Sequence, residues 1–475
     1  MYQLPKTINK DKIFIVKKSE IDRRLDPKMA LYNQSVQHAL YPIVKLKSLL
    51  LSKPQYGANE AGIVRDNNEQ PRYIRITDID ENGLISPDEL GATVANLDDK
   101  YILNENDIVI ARSGATVGKA YIHKNLPYTC VYAGYLIRFI VDSKKILPDY
   151  LFTYTQLNTY KEWVNAIQRP SAQPNINAEE YQSLEIPLPN LSKQQEIVGY
   201  INTAYAQKRA KEVEAQQLLD SIDDYLLKEL GITVPNINAE LTDRIFYVNY
   251  SDLSNRLDPY YSLKYFQKSF EAVHSGKYPV VSLKSLSTLI TSGITPKSGG
   301  DAYVDDRLNG IPFIRSGNIN IDGELDFNDL LYIRPDVHKT IMKSSQVRKN
   351  DLMIAIVGAT IGQVGIYVFD NEANINQAIA LVRLKDGINV EYVKELIKSS
   401  IGQLSLNRLK RPVARANINL EEIATIQVVL PPYEIQQKIA NQIQCIRRQA
   451  KALQAEGKAI LDNVKQKVEQ IIMGK

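Results

Sequence analysis

Two long stretches of the chain carry apolar residues at the spacing of an amphipathic helix. They are Ser192–Leu230 and Glu434–Met473, both rich in polar residues and free of proline. At about 1.5 Å per residue, each predicted helix would be roughly 60 Å long. Gly231 and Gly474 follow directly, at the position where glycine commonly ends a helix.

Within both stretches, alternating steps of four and three residues predict the contact seam of a coiled coil. In the second stretch the seam comprises Ile439, Ile443, Ile446, Ala450, Leu453, Gly457, Ile460, Val464, Lys467 and Ile471. In the first stretch it comprises Ile197, Ile201, Ala204, Lys208, Lys211, Ala215, Leu218, Ile222, Tyr225 and Glu229. The two central lysines weaken the first seam.

Short runs rich in β-branched residues predict strands between these helices. The clearest lie at 108–111, 136–141, 352–357 and 379–384, whereas 179–184 and 391–400 have helical periodicity. Glycine-rich and Asn-Asp steps separate them as turns. The pattern therefore predicts an α/β (mixed α+β) fold.

Five segments of the chain occur twice in the same order, which predicts two copies of one domain. Arg-Leu-Asp-Pro stands at 24–27 and again at 256–259, an offset of 232. The other pairs begin at 41 and 278, 73 and 313, 106 and 350, and 169 and 411, so small loop insertions separate the copies. We predict a first repeat at 1–190, a long helix and linker at 191–244, a second repeat at 245–433 and a final helix at 434–475.

Composition adds few constraints to this organisation. With 475 residues, 44% of them hydrophobic and 24% charged, the chain is long enough for two to four globular domains. A net charge of +4 tolerates a polyanionic partner but is too small for binding by charge alone. No apolar run reaches eighteen residues and the N-terminus lacks a signal pattern, so we expect a cytoplasmic protein without a membrane partner. Cys130 and Cys445 are too isolated to predict a disulfide or a zinc site.

The segment Gly114–Lys119 is similar to a phosphate-binding loop but departs from it in two ways. Three residues separate its glycines where that loop has four, and Ala120 follows the lysine where Ser or Thr is needed. The second repeat keeps Gly-Ala-Thr-x-Gly from Gly358 and replaces the lysine with Gln363. Because the glycines recur and the lysine does not, the motif predicts a tight turn.

Other catalytic motifs are also incomplete. Leu430-Pro-Pro-Tyr is similar to the motif of amino-methyltransferases, but its leucine cannot accept a hydrogen bond from a target amine. The four histidines, His38, His123, His274 and His338, lie neither at metal-ligand spacing nor beside a candidate nucleophile. We expect all four to be surface or loop residues.

Three groups of polar and basic residues recur at matching places in the repeats. In the first repeat they are Arg75, Thr77 and Asp78; Arg112, Ser113, Thr116 and Lys119; and Arg169, Ser171 and Gln173. In the second they are Arg315, Ser316 and Asn318; Thr360 and Gln363; and Arg408, Lys410, Arg411 and Arg415. Arginine can pair with guanine, and Asn or Gln with adenine, so these groups are candidate DNA contacts.

The last and most basic group of the second repeat is the stronger candidate for a phosphate clamp. Turn capping and a solvated loop remain the alternatives for the second and third groups. Asn175 and Asn177, with Asn417 and Asn419, are predicted to cap helices and turns.

The order of motifs resembles that of the specificity subunits of type I restriction-modification systems. The resembling motifs are Arg-Leu-Asp-Pro, Phe-Ile-Arg, Asn-Asp followed by Gly-Ala-Thr-x-Gly, Asn-Ile-Asn, Pro-Leu-Pro and Gln-Gln-x-Ile, with a long helix after each copy. The resemblance implies two target-recognition domains, each reading half of a split double-stranded DNA site. It also implies that the two long helices pair as an antiparallel coiled coil, whose length sets the spacing between the half-sites.

The same resemblance implies a chain without a catalytic site, cofactor or metal of its own. Methyltransferase subunits would dock on it and restriction subunits would join through them, with S-adenosylmethionine, ATP and Mg on those partners. Two alternatives stay open from the residues alone. One is a nuclease or methyltransferase fused to recognition domains, and the other is an adaptor whose repeats bind protein.

Overall fold

A computed structural model describes residues 15, 27–36, 39–86, 89–168, 174–235, 247–248, 258–297, 300–305, 308–410 and 417–474. The chain divides into two compact units. The first unit is Met1–Glu212 with Gln454–Lys475, and the second is Val213–Leu453. Each unit therefore contains most of one repeat and a part of both long helices.

The elements of the first repeat precede the first long helix. Its helices are α1 (Pro27–Val36), α2 (Pro148–Thr155), α3 (Asn158–Ile167) and α4 (Ala178–Gln182), followed by the long helix α5 (Leu191–Leu230). Its strands are β1 (Ile43–Lys45), β2 (Gln55–Tyr56), β3 (Ile63–Val64), β4 (Arg72–Ile74), β5 (Ala92–Thr93), β6 (Ile108–Ala111), β7 (Ala120–Ile122), β8 (Cys130–Tyr132), β9 (Leu136–Phe139) and β10 (Glu185–Pro187).

The second repeat has the corresponding elements and a few more. Its helices are α6 (Lys264–His274), α7 (Leu283–Leu286), α8 (Pro335–Lys339), α9 (Val390–Lys398), α10 (Ser400–Leu409) and α11 (Leu420–Ala424), followed by the long helix α12 (Tyr433–Met473). Its strands are β11 (Val280–Ser282), β12 (Ser287–Ser292), β13 (Tyr303–Val304), β14 (Ile311–Ile314), β15 (Leu331–Ile333), β16 (Gln346–Val347), β17 (Leu352–Ala355), β18 (Val364–Ile366), β19 (Ala373–Ile375), β20 (Ile379–Leu384) and β21 (Gln427–Val429).

The sheets of the two units have the same topology. Both contain an antiparallel four-stranded sheet, in the order β2-β9-β6-β7 in the first unit and β12-β20-β17-β18 in the second. A second sheet has the order β3-β5-β4-β8 in the first unit and β13-β15-β14-β19-β16 in the second. Each of these sheets contains one parallel pair, which is β4 with β8 in the first unit and β14 with β19 in the second. The prediction of a mixed α/β fold built from a repeated domain is therefore confirmed.

A residue with a positive φ angle precedes the inner strands β6 and β17 of the two antiparallel sheets. Asn106 and Asn350 have positive φ angles of 72° and 69°. Asparagine adopts this left-handed conformation more readily than most residues. The carboxylate of the following aspartate, Asp107 or Asp351, accepts the backbone N–H of Asn104 or Arg348 at 2.9 and 2.7 Å. The repeated Asn-Asp step is thus a turn that sets the entry of the strand, as predicted.

Both long helices form as predicted and pack antiparallel in each unit. In the first unit, Ile197 and Ile201 near the start of α5 share a core with Val468 and Ile472 near the end of α12. In the second unit, residues at the end of α5 share a core with the start of α12; they are Leu226, Leu230, Ile439 and Ile443. Gly231 and Gly474 end the helices with φ of 66° and 72°, so their prediction as C-terminal caps is confirmed.

In each unit a long helix also binds the N-terminus of a short helix of the repeat. The carboxylate of Glu469 on α12 accepts the backbone N–H and the hydroxyl of Thr159 at 2.6 Å each, at the start of α3. The carboxylate of Asp223 on α5 accepts the backbone N–H of Ser400 at 2.8 Å, at the start of α10. A negative charge at a helix N-terminus satisfies unpaired N–H groups and the helix dipole, so both contacts hold a repeat on a helix.

Among the helices that the structure describes, none is both long and apolar enough to cross a membrane.

Candidate nucleic-acid interface

The first predicted group lies in a short 3₁₀ turn after β4, where Asp78 caps the turn. Its carboxylate accepts the backbone N–H of Arg75 at 2.8 Å and also binds the guanidinium at 2.9 and 3.1 Å. The hydrogen bond to Asp78 raises the pKa of Arg75. Thr77 is exposed between them. The Arg75 side chain is thus turned onto its own loop, with 44% of its surface exposed.

The second unit repeats the turn after β14 with a different residue at the cap. The side-chain oxygen of Asn318 accepts the backbone N–H of Arg315 at 2.9 Å, and its amide donates to the carbonyls of Asp326 and Asp329. Asn318 is buried, and both its side-chain oxygen and its amide group are hydrogen-bonded inside the protein. Arg315 donates to the Asp329 carboxylate at 2.6 Å, while the neighbouring Ser316 is half-buried.

The second predicted group lies on a tight turn at the end of the β6–β7 hairpin. Gly114 and Gly118 have φ of 82° and 88°, and their counterparts Gly358 and Gly362 have 75° and 95°. A Cβ atom at Gly118 would lie 2.7 Å from the Val164 side chain. Both the backbone and the space therefore require glycine there, and the prediction of a tight turn is confirmed.

This turn is hydrogen-bonded to the segment that carries the Asn-Ile-Asn step. In the first unit, Ile176 donates to the Arg112 carbonyl at 2.8 Å and Gly114 donates to the Pro174 carbonyl at 3.1 Å. In the second unit, Ile418 donates to the Ile356 carbonyl at 3.0 Å. The fold thus brings the second group next to the segment that follows the third. Five members of the third group, Arg169, Ser171, Gln173, Arg411 and Arg415, lie outside the described residues.

The second asparagine of that step has the predicted capping role in both units. Asn177 accepts from the backbone N–H of Glu180 at 2.9 Å, and the Glu180 carboxylate accepts from the N–H of Asn177 in return. Asn419 and Glu422 form the same capping box at the start of α11.

Two basic side chains of the first turn differ in their surroundings. Lys119 donates to the Ile79 carbonyl at 2.5 Å, which joins the turn to the loop of the first group. The Arg112 guanidinium lies 4.9 Å from the ring centroid of Tyr56. Ser113 and Thr116 are half-buried on the same turn.

In the second unit the corresponding side chains are mostly engaged inside the protein. The Thr360 hydroxyl donates to the Val357 carbonyl at 3.3 Å, and Gln363 is half-buried. Arg408 donates to the Tyr261 carbonyl at 2.9 Å and lies 4.0 Å from the centroid of its ring. Lys410 donates to the Asn407 side chain at 2.7 Å, and burial lowers its pKa. Arg408 thus packs α10 against the segment before α6.

A cleft of about 490 Å³ lies beside the turn of the first unit. Its opposite wall is the polar side of α3, formed by Lys161, Asn165 and Gln168. Lys161 and Asn165 were missed by the sequence analysis. Together with Gln168 they are spaced by four and then three residues, whereas Trp163 and Val164 between them are buried. This spacing is the signal that places them on one helix face.

The expectation that all four histidines are surface or loop residues is wrong for His338, which is buried on α8, whereas His123 follows β7 in a loop but is also buried. His123 is 5% exposed beside Tyr121, and His338 is 2% exposed beside Asn374. Burial lowers the pKa of His123. His274 is exposed at the end of α6, and His38 lies outside the described residues. In the part of the chain that the structure describes, no three His, Cys, Asp or Glu side chains are grouped to hold a metal.

Known proteins with similar sequences were identified over most of the chain. The family model of the type I restriction modification DNA specificity domain matches residues 62–220 and 262–459. The specificity subunit of the type I restriction enzyme EcoBI from Escherichia coli is 27% identical over 301 residues, which are 62% of this chain and 58% of that subunit. The alignment thus spans less than two thirds of that relative.

Two further similarities were found. The specificity subunit of the type I restriction enzyme EcoKI from Escherichia coli strain K12 is 21% identical over 375 residues, or 77% of this chain and 73% of that subunit. A solved structure concerned with complex assembly and conformational transition of the type I R-M system has a TM-score of 0.49 at 16% identity, covering 91% of this chain and 97% of that one. With both repeats matched by one family model, the chain belongs to the family of the type I restriction modification DNA specificity domain.

Proposed function

We propose that this chain is the specificity subunit of a type I restriction-modification complex and reads a bipartite site on double-stranded DNA. Each unit would read one half of the site with side chains around its glycine turn. Methyltransferase subunits, and restriction subunits joined through them, are its proposed partners. Family membership supports this assignment.

The observation that carries the proposal is a repeated frame with different side chains. In both units the glycine turn is hydrogen-bonded to the Asn-Ile-Asn segment through equivalent backbone atoms. At the rim of that frame, Lys119 of the first unit is replaced by Gln363 in the second, and Arg112 by Ile356. A rigid frame with variable donors and acceptors is what reading two different short DNA sequences requires.

We further propose that the chain has no catalytic activity of its own. S-adenosylmethionine, ATP and Mg would be bound by the partner subunits. The Leu-Pro-Pro-Tyr segment has a structural role that supports this view, because the side chain of Gln436 on α12 donates to the Pro431 carbonyl at 2.8 Å. The segment thus forms the entry of the long helix.

The experiment begins with methylome sequencing of the host strain, which gives the methylated bipartite motif. The full chain, purified with its methyltransferase subunits, is then titrated against a duplex carrying the motif and against a scrambled duplex. We expect the motif to be bound at least about a thousandfold more tightly at physiological salt. Equal affinity for both duplexes would contradict the proposal and favour a protein-binding adaptor. Methyl transfer by the chain without its partners would contradict the absence of catalysis.

A further inference from the structure

Three side chains form a basic and aromatic rim at one end of the antiparallel sheet in the first unit. They are Arg112 after β6, Tyr56 at the end of β2 and Tyr135 before β9. The backbone N–H of Arg112 donates to the Tyr135 carbonyl at 2.9 Å, so the two residues are neighbours on a fixed frame. The Arg112 guanidinium also lies over the Tyr56 ring. We call these residues the Arg112 rim.

A hydrogen bond fixes one ring of the rim, whereas the Arg112 guanidinium makes no hydrogen bond to the described residues. The Tyr56 hydroxyl accepts the backbone N–H of Ala178 at 3.1 Å, which fixes that ring. Tyr135 is 60% exposed and Tyr56 is 40% exposed. Among the described residues, the Arg112 guanidinium has neither a hydrogen bond nor an ion pair, and its Nε atom is buried without a partner. Because Nε is shielded, a bound acceptor would pair with the terminal N–H groups of the guanidinium.

The second unit has the same frame without this chemistry. Ile356 donates to the Ala378 carbonyl at 2.9 Å, as Arg112 does to Tyr135. The strand pairing makes Ser292 the counterpart of Tyr56, because Ile137 and Ala380 occupy equivalent positions opposite them. Arg, Tyr and Tyr in one unit thus correspond to Ile, Ser and Ala in the other. A rim needed only for folding would be present in both.

We propose that the Arg112 rim contacts DNA and that Tyr135 is a specificity-determining residue for only one half of the bipartite site; this inference rests on the function proposed above. Its acceptor would be a base edge or phosphate oxygen, which the guanidinium binds. The exposed Tyr135 ring supplies apolar contact at little entropic cost. The second unit reads its half-site without this contact.

The test uses the full chain with its methyltransferase subunits and duplexes that carry single base-pair changes in either half of the methylated motif. Tyr135→Ala and Arg112→Ala are compared with the parent by fluorescence anisotropy at one salt concentration. We expect each variant to bind the intact motif about tenfold more weakly, the loss of one good contact. Base-pair changes in one half should then cost Tyr135→Ala less than they cost the parent, whereas changes in the other half should cost the same.

Two controls separate recognition from folding. Tyr265→Ala removes a ring of similar exposure, 42%, from α6 and should leave affinity unchanged. Tyr135→Phe keeps the ring and should retain discrimination in the affected half. The inference would be overturned, with the proposed function left intact, if Tyr135→Ala discriminated both halves as the parent does or lost discrimination equally in both. Parental affinity of Arg112→Ala for the motif would also overturn it. A parent protein that does not distinguish the motif from a scrambled duplex would overturn the proposed function itself.

Discussion

Gln194 and Gln436 show what a single repeated residue contributes to this fold. Both are buried in the first turn of a long helix. The Gln194 side chain accepts from the backbone N–H of Leu147 at 2.8 Å and donates to the Pro189 carbonyl at 2.8 Å. Gln436 binds Asn389 and Pro431 in the same way. The repeated Gln-Gln-x-Ile motif thus ties the start of each long helix to its own repeat.

The substitution Gln436→Ala should therefore destabilise the protein. It leaves the buried Pro431 carbonyl without a partner, which costs about 1–3 kcal/mol before any rearrangement, and it also removes the partner of the half-buried Asn389 N–H. Urea denaturation followed by circular dichroism measures the change in the free energy of unfolding. The neighbouring Gln437 is exposed, so Gln437→Ala is the matched control. Equal stability of the two variants would refute the assigned role.

Lys398 gives the second unit a specific dependence on pH. Burial is the main cause that lowers the pKa of this lysine to about 8; the charges of Arg447 and Lys394 also lower the pKa, whereas those of Glu395 and Asp322 raise it. Between pH 8 and about 10.4, the unfolded chain holds a proton that the folded chain has released. The free energy of unfolding should therefore increase as the pH rises through this interval.

The variant Lys398→Met should flatten that rise, as measured by chemical denaturation at pH 8, 9 and 10. The matched control is Lys451→Met, because Lys451 pairs with Glu324 at the surface, where 74% of its side chain is exposed. An unchanged slope in Lys398→Met would show that Lys398 does not titrate in this range.

The role of a side chain was predictable from the sequence where its partner lies a few residues away in the chain. It was not predictable where the partner lies far away in the chain. Asn177 and Asn419 were predicted as caps, because a cap and its partner lie within three residues of each other. Burial of His338 was missed, since its partner Asn374 is 36 residues away on β19. The contact of the Lys119 ammonium with the Ile79 carbonyl, 40 residues away, was missed for the same reason, and the prediction that Lys119 contacts DNA stays a prediction.

At the scale of the element, the contact seam of the long helices was predicted correctly near the start of α5. Towards the end of α5 the buried positions lie one residue later than predicted. Ile197, Ile201 and Ala204 are buried as predicted, but near the end of α5 the buried residues are Leu226 and Leu230 in place of Tyr225 and Glu229. A straight α-helix has 3.6 residues per turn, so a seam counted at 3.5 falls behind by about 20° per heptad. Over five heptads this amounts to one residue.

The charged middle of the first seam is accommodated by a glycine on the other helix. A Cβ atom at Gly457 on α12 would lie 3.3 Å from both the Lys208 carbonyl and the Lys211 Cβ on α5. The helix backbones therefore approach closely there. The ammonium groups extend outwards, where Lys211 pairs with Glu456 at 3.1 Å and Lys208 with Glu212 at 2.7 Å.

The substitution Gly457→Leu should therefore force the helices of the first unit apart. We expect a loss of about 1–3 kcal/mol in the free energy of unfolding, as for other overpacked sites. Gly199 on α5 is the matched control, because nothing lies within 4 Å of the Cβ position there. Gly199→Leu should be neutral or stabilising by up to about 1 kcal/mol, since leucine is a better helix former. Destabilisation of both variants to the same extent would contradict close packing at Gly457.

At the scale of the whole molecule, the sequence duplication made the two-unit architecture predictable. The strand pairing within each sheet was not predictable. The offset between repeats led directly to two units with one topology. The parallel pairing of β4 with β8 joins residues about 58 positions apart, through strands of only three residues. Strands of that length show no measurable alternation of apolar and polar residues, so neither their existence nor their partners could be read from the sequence. The extra β16 of the second repeat was missed for the same reason, and the extra α8, with five residues, is too short to show helical periodicity.

The whole-molecule prediction concerns the dependence of DNA affinity on salt. The three candidate groups contain nine basic residues: Arg75, Arg112, Lys119, Arg169, Arg315, Arg408, Lys410, Arg411 and Arg415. Arg75 and Arg315 are paired with carboxylates, and Lys119 and Arg408 donate to backbone carbonyls. If these four stay engaged, about five remain for phosphates.

Each neutralised phosphate contributes about −0.9 to the slope of the logarithm of the binding constant against the logarithm of the salt concentration. We therefore expect a slope of about −4.5 for the contacts made by this chain, against about −8 if all nine bind phosphate. The slope is measured by anisotropy between 50 and 200 mM salt, with the full chain alone on a non-specific duplex so that its partners add no contacts. Arg75→Ala should leave the slope unchanged, whereas Arg112→Ala should reduce its magnitude by about one. A slope near −8 that falls in Arg75→Ala would mean that the ion pair with Asp78 opens on DNA and that the internal contacts do not restrict the arginines.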